Sequence, residues 1–127
     1  MRARNTHTTF ESQRQAADSK RRWAALNARA FMLENIDDAI SVRRLSSTLG
    51  VSERTLRYGF QDLFGMSPLK YLKTVRLHRV RQSLQRANSS RTTVLREAMR
   101  SGFWHLSRFS SEYKSYFGEL PSATLRG

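Results

Sequence analysis

The feature that most restricts the fold of this chain is an internal repeat of a helix, a glycine turn and a second helix. The copies contain the stretches GVSERTLRYGFQDLFGMSP, Gly50 to Pro68, and GFWHLSRFSSEYKSYFGELP, Gly102 to Pro121. At a shift of 53 residues the pairs are Leu56 with Phe109, Phe60 with Tyr113, Phe64 with Phe117, Gly65 with Gly118 and Pro68 with Pro121. Before the turn the shift is 52, and the pairs are Val42 with Val94, Ser46 with Ala98 and Gly50 with Gly102. The second copy therefore has one extra residue in its turn.

Residues suited to helix caps mark the ends of the helices in the first copy. Ser41 and Ser52 fit N-caps, because a serine hydroxyl can accept a hydrogen bond from a free N–H of the first turn. Gly50 and Gly65 fit helix ends, because glycine adopts the left-handed conformation that often terminates a helix. The predicted buried stripe of the second helix is Leu56, Phe60, Leu63 and Phe64.

A long helix is predicted between the two copies. Ser67 and Pro68 fit its N-cap and first position, and its pattern extends to about Arg86. The residues predicted to face inward are Leu69, Leu72, Val75, Val80 and Leu84. A helix of this length spans roughly 28 Å at 1.5 Å per residue. Adjacent major-groove segments on one face of DNA are about 34 Å apart, so the two lengths are compatible.

The ends of the chain differ in character. Residues 1–22 are polar and mixed in charge without a sustained period, which predicts a flexible amino-terminal arm or a linker remnant. Towards Ile36 a helical spacing is formed by Trp23, Leu26, Ala30, Leu33 and Ile36, and Asp37 and Asp38 then interrupt it. In the second copy, a loop at 87–91 precedes a short helix that Gly102 closes, and Gly118 and Pro121 end the last helix. We find no strand-like alternation of useful length.

The net charge of the chain points to an anionic partner. There are 23 Lys and Arg against 10 Asp and Glu, which gives +13. Nineteen of the 23 are Arg, whose planar fork matches phosphate and guanine edges. A GC-rich genome also raises the arginine content, but the charge favours nucleic acid over a lipid surface.

Several classes of protein and of site are poorly supported. The absence of cysteine excludes disulfides and thiolate zinc sites. No apolar run approaches the roughly 18 residues of a membrane helix, and residues 1–22 contain no apolar region typical of a secretory signal. His7, His78 and His105 are too scattered to suggest a metal site. We find no pattern typical of catalytic side chains or of a dinucleotide fingerprint, so we expect no cofactor and no enzyme.

The repeated unit has the pattern of a helix-turn-helix, which presents its second helix to the major groove of DNA. Ser46 and Ala98 are small residues four positions before the turn glycines, where small side chains let two helices cross closely. A single copy would also fit an ordinary helical hairpin. Two copies at matched offsets in a chain of charge +13 favour DNA binding.

The sequence resembles the AraC/XylS family of bacterial transcription regulators over residues 25–126. The resemblance lies in LSSTLGVSERTLRYGFQDLFGMSPLKYL, in VRLHRVRQSL and in REAMRSGFWHLSRFSSEYKSYFGELPSATLR. It implies an all-α fold of two helix-turn-helix subdomains joined by a long linker helix, homeodomain-like and duplicated. The DNA-binding domain would be residues 23–127, with helix-turn-helix units at about 41–65 and 92–118 and the linker helix at about 68–86.

The sequence departs from the family pattern at two places. Ser46 stands where the family usually has Ala. Trp104, His105 and Leu106 occupy a region where the second recognition helix often begins with a polar cap such as Asp. Many members also have an amino-terminal effector or dimerisation domain. We therefore expect either a stand-alone regulator or a fragment whose effector domain is missing.

The resemblance implies which residues approach DNA. On the first recognition helix, positions 54, 57 and 58 would meet base edges; the second has short serine side chains and would add mainly affinity. The expected base-reading residues are Arg54, Arg57, Tyr58, Ser107, Ser110 and Ser111. The expected phosphate contacts are Arg43, Arg44, Ser52, Arg108 and Lys114. The cations of the long helix cannot all face DNA, so some are expected to pair with carboxylates or to lie in solvent.

The function expected from these patterns is that of a bacterial, cytoplasmic, nucleoid-associated regulator that binds specific sequences in double-stranded DNA. Activation, and contact with RNA polymerase, are implied by the resemblance alone. The main alternative is a non-specific or architectural protein that binds DNA or RNA through its charge. A membrane-surface protein would need an amphipathic helix with a free apolar face. The repeat is expected to bury those faces, so this alternative ranks last among the binding proteins.

Overall fold

Seven α-helices form the secondary structure of the described residues. The computed structural model describes the backbone of residues 2–87 and 89–127 and the side chains of residues 9–87 and 89–127. The helices are α1 (Arg2–Glu34), α2 (Val42–Leu49), α3 (Glu53–Phe64), α4 (Pro68–Arg86), α5 (Val94–Arg100), α6 (Leu106–Phe117) and α7 (Pro121–Arg126). These described ranges contain no strand, and no helix in them is apolar over the length needed to span a membrane.

The helices form two compact units, and the expected all-α fold with a duplicated helix-turn-helix is confirmed. The first unit comprises the residues up to Glu34 together with Ile40–Tyr71, and the second comprises Asn35–Ala39 and Leu72–Gly127. Helices α2 and α3 form the helix-turn-helix of the first unit, and α5 and α6 form that of the second. Helix α4 contributes its first turn to the first unit and its remaining residues to the second.

The predicted caps of the first copy and of the long helix are confirmed. The hydroxyls of Ser41, Ser52 and Ser67 accept hydrogen bonds from the N–H groups of Arg44, Thr55 and Lys70 at 3.0, 3.0 and 3.2 Å. Gly50 and Gly65 end α2 and α3 in the left-handed conformation, each with φ of 67°. Gly118 ends α6 in the same way. The helix boundaries predicted from these serine and glycine residues therefore agree with the backbone.

The turns of the two copies each contain an equivalent backbone hydrogen bond. In the first copy the N–H of Val51 donates to the carbonyl of Ser46 at 3.2 Å, and in the second the N–H of Phe103 donates to that of Ala98 at 3.0 Å. Ser46 adds a bond that alanine cannot make, because its hydroxyl donates to the carbonyl of Val51. The substitution of Ser for the usual Ala therefore stabilises the first turn.

Helix α1 packs against α3 in the first unit, and a glycine sets the distance between them. A Cβ atom added at Gly59 would lie 2.3 Å from the carbonyl oxygen of Arg21 and 3.3 Å from the Cβ of Ala25. Only a residue without a side chain allows this approach, and only small side chains fit opposite it on α1. The buried residues of α1 are Ala24, Ala25, Ala28 and Met32.

The helical spacing noted in the sequence towards Ile36 does not mark the buried face of α1. Trp23 is 49% and Leu33 is 46% exposed, Ala30 is exposed and Leu26 is half-buried. Ile36, which follows the helix, is buried. The close approach at Gly59 turns the alanine face of α1 inward and the face of larger side chains outward.

The sequence predicts a flexible arm over residues 1–22, and the described backbone of this stretch is helical from Arg2. Residues 2–34 contain neither glycine nor proline, so no residue interrupts the helix. The side chains of residues 9–20 are all exposed. An exposed stretch needs no hydrophobic period, and for this reason the pattern was missing from the sequence.

The core of the second unit forms between α4, α5 and α6. Its buried cluster consists of Leu77, Val80, Leu84, Ala98, Phe109 and Tyr113. Leu72, Val80 and Leu84 face inward as predicted, whereas Leu69 is 46% exposed and Val75 is half-buried. Leu77 was not predicted and is buried. The inward face of α4 thus continues through Leu77 rather than Val75 between Leu72 and Val80.

Helix α7 is absent from the sequence prediction, which placed Pro121 at the end of the preceding helix. Pro121 is instead the first residue of α7. The buried hydroxyl of Tyr113 donates to Thr124 Oγ1 at 2.7 Å. The hydroxyl of Thr124 in turn donates to Glu119 Oε2 at 2.8 Å. This chain of hydrogen bonds connects α7 to α6.

Candidate nucleic-acid interface

Helix α3 has one buried and one exposed face. Leu56 and Phe60 are fully buried, and Arg54, Arg57 and Tyr58 are exposed as predicted. The guanidinium of Arg54 lies 5.2 Å from the centroid of the Tyr58 ring, and its Nη2 lies 3.4 Å from the Tyr58 hydroxyl oxygen. Arg54 and Tyr58 therefore form one polar surface, with donors of two kinds pointing away from the core.

Arg57 pairs with Glu53 one turn earlier on α3. Arg57 Nη2 and Glu53 Oε1 are 3.4 Å apart, and the two side chains are 60% and 45% exposed. An exposed pair of this kind contributes at most about 1 kcal/mol. The guanidinium can thus leave Glu53 for another acceptor at little cost.

Arg21 of α1 joins this surface and was not predicted from sequence. Its guanidinium lies 4.7 Å from the centroid of the Tyr58 ring, which the guanidinium of Arg54 also contacts. Its Nη1 is also 3.9 Å from Asp62 Oδ2. The contact depends on which face of α1 packs against α3, and the helical spacing of the larger side chains of α1 does not indicate that face.

The residues expected to contact phosphate in the first unit have different surroundings. Arg43 is exposed, and the guanidinium of Arg44 lies 5.3 Å from the Phe31 ring centroid. The hydroxyl of Ser52 accepts from Thr55 N–H and donates to Thr55 Oγ1 at 2.9 Å. The Ser52 hydroxyl thus uses both of its hydrogen-bonding functions within the first turn of α3. Arg43 and Arg44 are both exposed.

Helix α6 presents a different surface in the second unit. Ser107, Ser111, Arg108 and Lys114 are exposed, and Ser110 is half-buried. The residue before the helix, His105, makes no side-chain hydrogen bond to the first turn. The predicted departure from a polar cap is confirmed, and α6 begins without a side-chain acceptor for its first N–H groups.

Large apolar side chains flank this uncapped end. Trp104 is 64% exposed and Leu106 is 40% exposed. By contrast, Phe103 packs against the buried ring of Phe109, with 4.7 Å between the ring centroids. The end of α6 therefore exposes both apolar and polar groups.

Three cations of α4 stabilise the second unit. Lys73 Nζ lies 3.0 Å from Glu112 Oε1, and the guanidinium of Arg81 lies 4.6 Å from the Phe117 ring centroid. Arg76 Nε donates to the carbonyl of Ile36 at 2.9 Å, and its Nη2 donates to that of Asp38. Burial lowers the pKa of Arg76, and the nearby charges of Asp37 and Asp38 raise it. The expectation that some α4 cations pair with carboxylates is confirmed by Lys73.

The described residues contain no cluster of three or more His, Cys, Asp or Glu that could hold a metal ion. The exposed surfaces of α3 and α6 instead offer guanidinium, hydroxyl and ammonium donors. Such groups form hydrogen bonds with phosphate oxygens and base edges.

Residues 45–127 match the family model of a helix-turn-helix domain. The chain is 40% identical over 96 residues to the probable thc operon regulatory protein of Rhodococcus erythropolis. It is 36% identical over 96 residues to XylDLEGF operon transcriptional activator 3 of Pseudomonas putida. These matches cover 76% of this chain but 29% of either relative, so the chain spans under a third of their length.

Solved structures show the same architecture. A probable AraC family transcriptional regulator from Rhodopseudomonas palustris matches with a TM-score of 0.72 and 32% identity, over 81% of this chain and 94% of that one. The DNA-binding domain of AdpA, a global transcriptional factor solved with a target DNA, matches with a TM-score of 0.71 and 25% identity, over 80% and 89% of the two chains. Together with the two helix-turn-helix units, these matches show that the chain belongs to the AraC/XylS family of transcription regulators and contains its DNA-binding domain.

Proposed function

We propose that this chain binds specific sequences in double-stranded DNA and inserts α3 and α6 into adjacent major-groove segments. The observation that supports this most strongly is the structural equivalence of the two helices. Each ends at a left-handed glycine and buries the same face. Their proposed base-reading positions then correspond in three pairs: Arg54 with Ser107, Arg57 with Ser110, and Tyr58 with Ser111.

In the first unit, Arg57 and Arg54 are the proposed base-reading residues, with Tyr58 beside them. An arginine fork can donate to guanine O6 and N7 together, and such a contact contributes about 1–3 kcal/mol of discrimination. Arg43, Arg44 and the amino-terminal end of α3 at Ser52 would contact phosphates. Half-buried Arg21, whose guanidinium lies against the Tyr58 ring, would extend the same basic surface.

In the second unit, Ser107, Ser110 and Ser111 are proposed to face the bases, with Arg108 and Lys114 at phosphates. A serine hydroxyl can both donate and accept, so it discriminates little between bases. The first unit would then determine most of the sequence preference through hydrogen bonds. Phosphate contacts in the second would raise affinity at any sequence.

The biological role is proposed as transcription activation in the bacterial cytoplasm, close to the nucleoid. Several relatives are named transcriptional activators of an operon. Activation would require contact with RNA polymerase. The greater length of the relatives supports a further effector or dimerisation domain that acts together with this one. Since the family consists of DNA-binding regulators, enzymatic activity is not part of the proposal.

A second candidate function is non-specific binding to DNA or RNA. The short serine side chains on α6 and the net charge of +13 favour it. It predicts the same affinity for any duplex and a steep dependence on salt.

Selection from a pool of random duplexes tests the two candidates against each other. The chain is incubated with the pool at about 150 mM salt, where charge alone binds weakly, and bound DNA is sequenced. Specific binding predicts enrichment of two short boxes with centres about 10 bp apart. Retention of DNA without an enriched sequence would contradict sequence recognition by this chain and support the second candidate.

A further inference from the structure

The turn of the second helix-turn-helix contains one residue more than the first, and the structure identifies it. Phe103 occupies the place of Val51, because each donates its N–H to the carbonyl five residues earlier. His105 occupies the place of Ser52, because each is the N-cap of its recognition helix. Trp104, between Phe103 and His105, has no counterpart in the first copy. The first copy connects its two helices without such a residue, so a helix-turn-helix of this kind does not require the tryptophan.

Trp104 and Leu106 form an apolar surface at the amino-terminal end of α6. They are 64% and 40% exposed, so neither serves mainly to fill the core. Leu106 is the first residue of α6, and its counterpart in α3 is the charged residue Glu53. The amino-terminal residues of a recognition helix are those that contact base edges. The second unit therefore has apolar groups where the first has a charged one.

The exposed serines of α6 that are proposed to face the bases cannot supply much discrimination. Ser107 and Ser111 have short side chains with one hydroxyl each, which suits any base. Apolar groups discriminate differently, because the C5-methyl of thymine is the apolar group that base edges present in the major groove. A methyl that meets Trp104 or Leu106 loses contact with water, and the contact is favourable.

We propose that Trp104 and Leu106 contact thymine methyl groups in the DNA segment that α6 enters, and that this segment is a thymine-containing box. The proposal rests on the proposed function, since it requires α6 to lie in the major groove. It changes the expected role of the second unit: that unit selects bases through methyl contacts rather than adding affinity alone.

Replacement of thymine by deoxyuridine tests this with the unaltered protein, because the two bases differ only by the methyl group. The duplex is the site selected from the random pool, with uridine in the α6 box, in the α3 box or in neither. The wild-type chain should bind the duplex with uridine in the α6 box more weakly than the duplex with thymine throughout. The expected loss is about three- to fivefold for each methyl group contacted. Trp104→Ala/Leu106→Ala should bind that duplex and the thymine duplex equally. Uridine in the α3 box is the matched control and should affect both proteins alike.

Four results would overturn the proposal. The wild type could bind both duplexes equally, or the double variant could remain as sensitive to uridine in the α6 box as the wild type. A selected α6 box without thymine would contradict methyl recognition and leave the proposed function intact. The absence of any selected site would contradict both proposals together.

Discussion

Arg57 is the residue whose replacement tests base recognition most directly. Its partner Glu53 is on the same helix and the pair is exposed, so Arg57→Ala should change the free energy of unfolding by less than about 1 kcal/mol. It should weaken binding to the selected site by about 1–3 kcal/mol and relax the base preference at one position of the α3 box. Repeated selection with the variant measures this.

Arg108→Ala is the matched control for Arg57→Ala. If Arg108 contacts a phosphate, its loss should weaken binding similarly at all sequences and reduce the slope of affinity against salt by about one charge. A variant of Arg57 that behaved in this way as well would show that Arg57 contacts the backbone rather than a base.

Ser46 gives a residue-scale prediction about stability. Its hydroxyl donates to the carbonyl of Val51 in the turn between α2 and α3. Ser46→Ala restores the usual family residue but should lower the free energy of unfolding by about 1 kcal/mol, because that hydrogen bond is lost. Urea denaturation measures the change. Ser47→Ala, at the exposed neighbouring position, should have little effect; equal losses would mean that the turn bond is unimportant.

At the scale of elements, the packing of α1 on α3 depends on Gly59. In an isolated helix, alanine is more favourable than glycine by about 1 kcal/mol. Here the added Cβ would lie 2.3 Å from a backbone oxygen of α1, so the helices must move apart. Gly59→Ala should therefore destabilise the chain, by about 1–3 kcal/mol as in other overpacked sites. Thermal unfolding of this variant beside Gln61→Ala, on the exposed side of α3, tests it. A stabilised Gly59→Ala would contradict the close approach.

Tyr113 connects α6 to α7 through a hydroxyl that is buried and bonded to Thr124. Burial raises the pKa of Tyr113 above its ordinary value, and the hydrogen bond to Thr124 opposes this. Below the unfolded pKa of about 10, the hydroxyl is protonated in both states and its contribution is complete. As the pH rises above that value, the unfolded state releases its proton first, so the free energy of unfolding falls.

Tyr113→Phe should lack this pH-dependent loss. At pH 8 the variant should be less stable than the wild type by about 1 kcal/mol, since one hydrogen bond is missing. At pH 11 the difference should be smaller or reversed. Urea denaturation of both proteins at the two pH values measures it, and a difference that stays constant would contradict a raised pKa of Tyr113.

For the whole molecule, the duplicated architecture could be predicted because glycine and proline recur at matched offsets near the helix ends of both copies. Helix α7 could also have been predicted, since Pro121 repeats Pro68, which begins a helix. The inward face of α1 could not, because the alanines compete with larger side chains in the hydrophobic period and only the contact at Gly59 decides between them. Arg21 was missed for the same reason, and its proximity to Tyr58 is a property of packing.

The central claim is that one chain recognises two boxes on the same face of DNA, one with each recognition helix. Binding to the selected site is compared with binding to the same site after insertion of about 5 bp between the boxes, which turns the second box to the opposite face. The account predicts that affinity falls to that of a duplex with one box. Restoration by an insertion of about 10 bp is not expected, because the two units belong to one short chain. Unchanged affinity after the half-turn insertion would contradict recognition by two helices on one face.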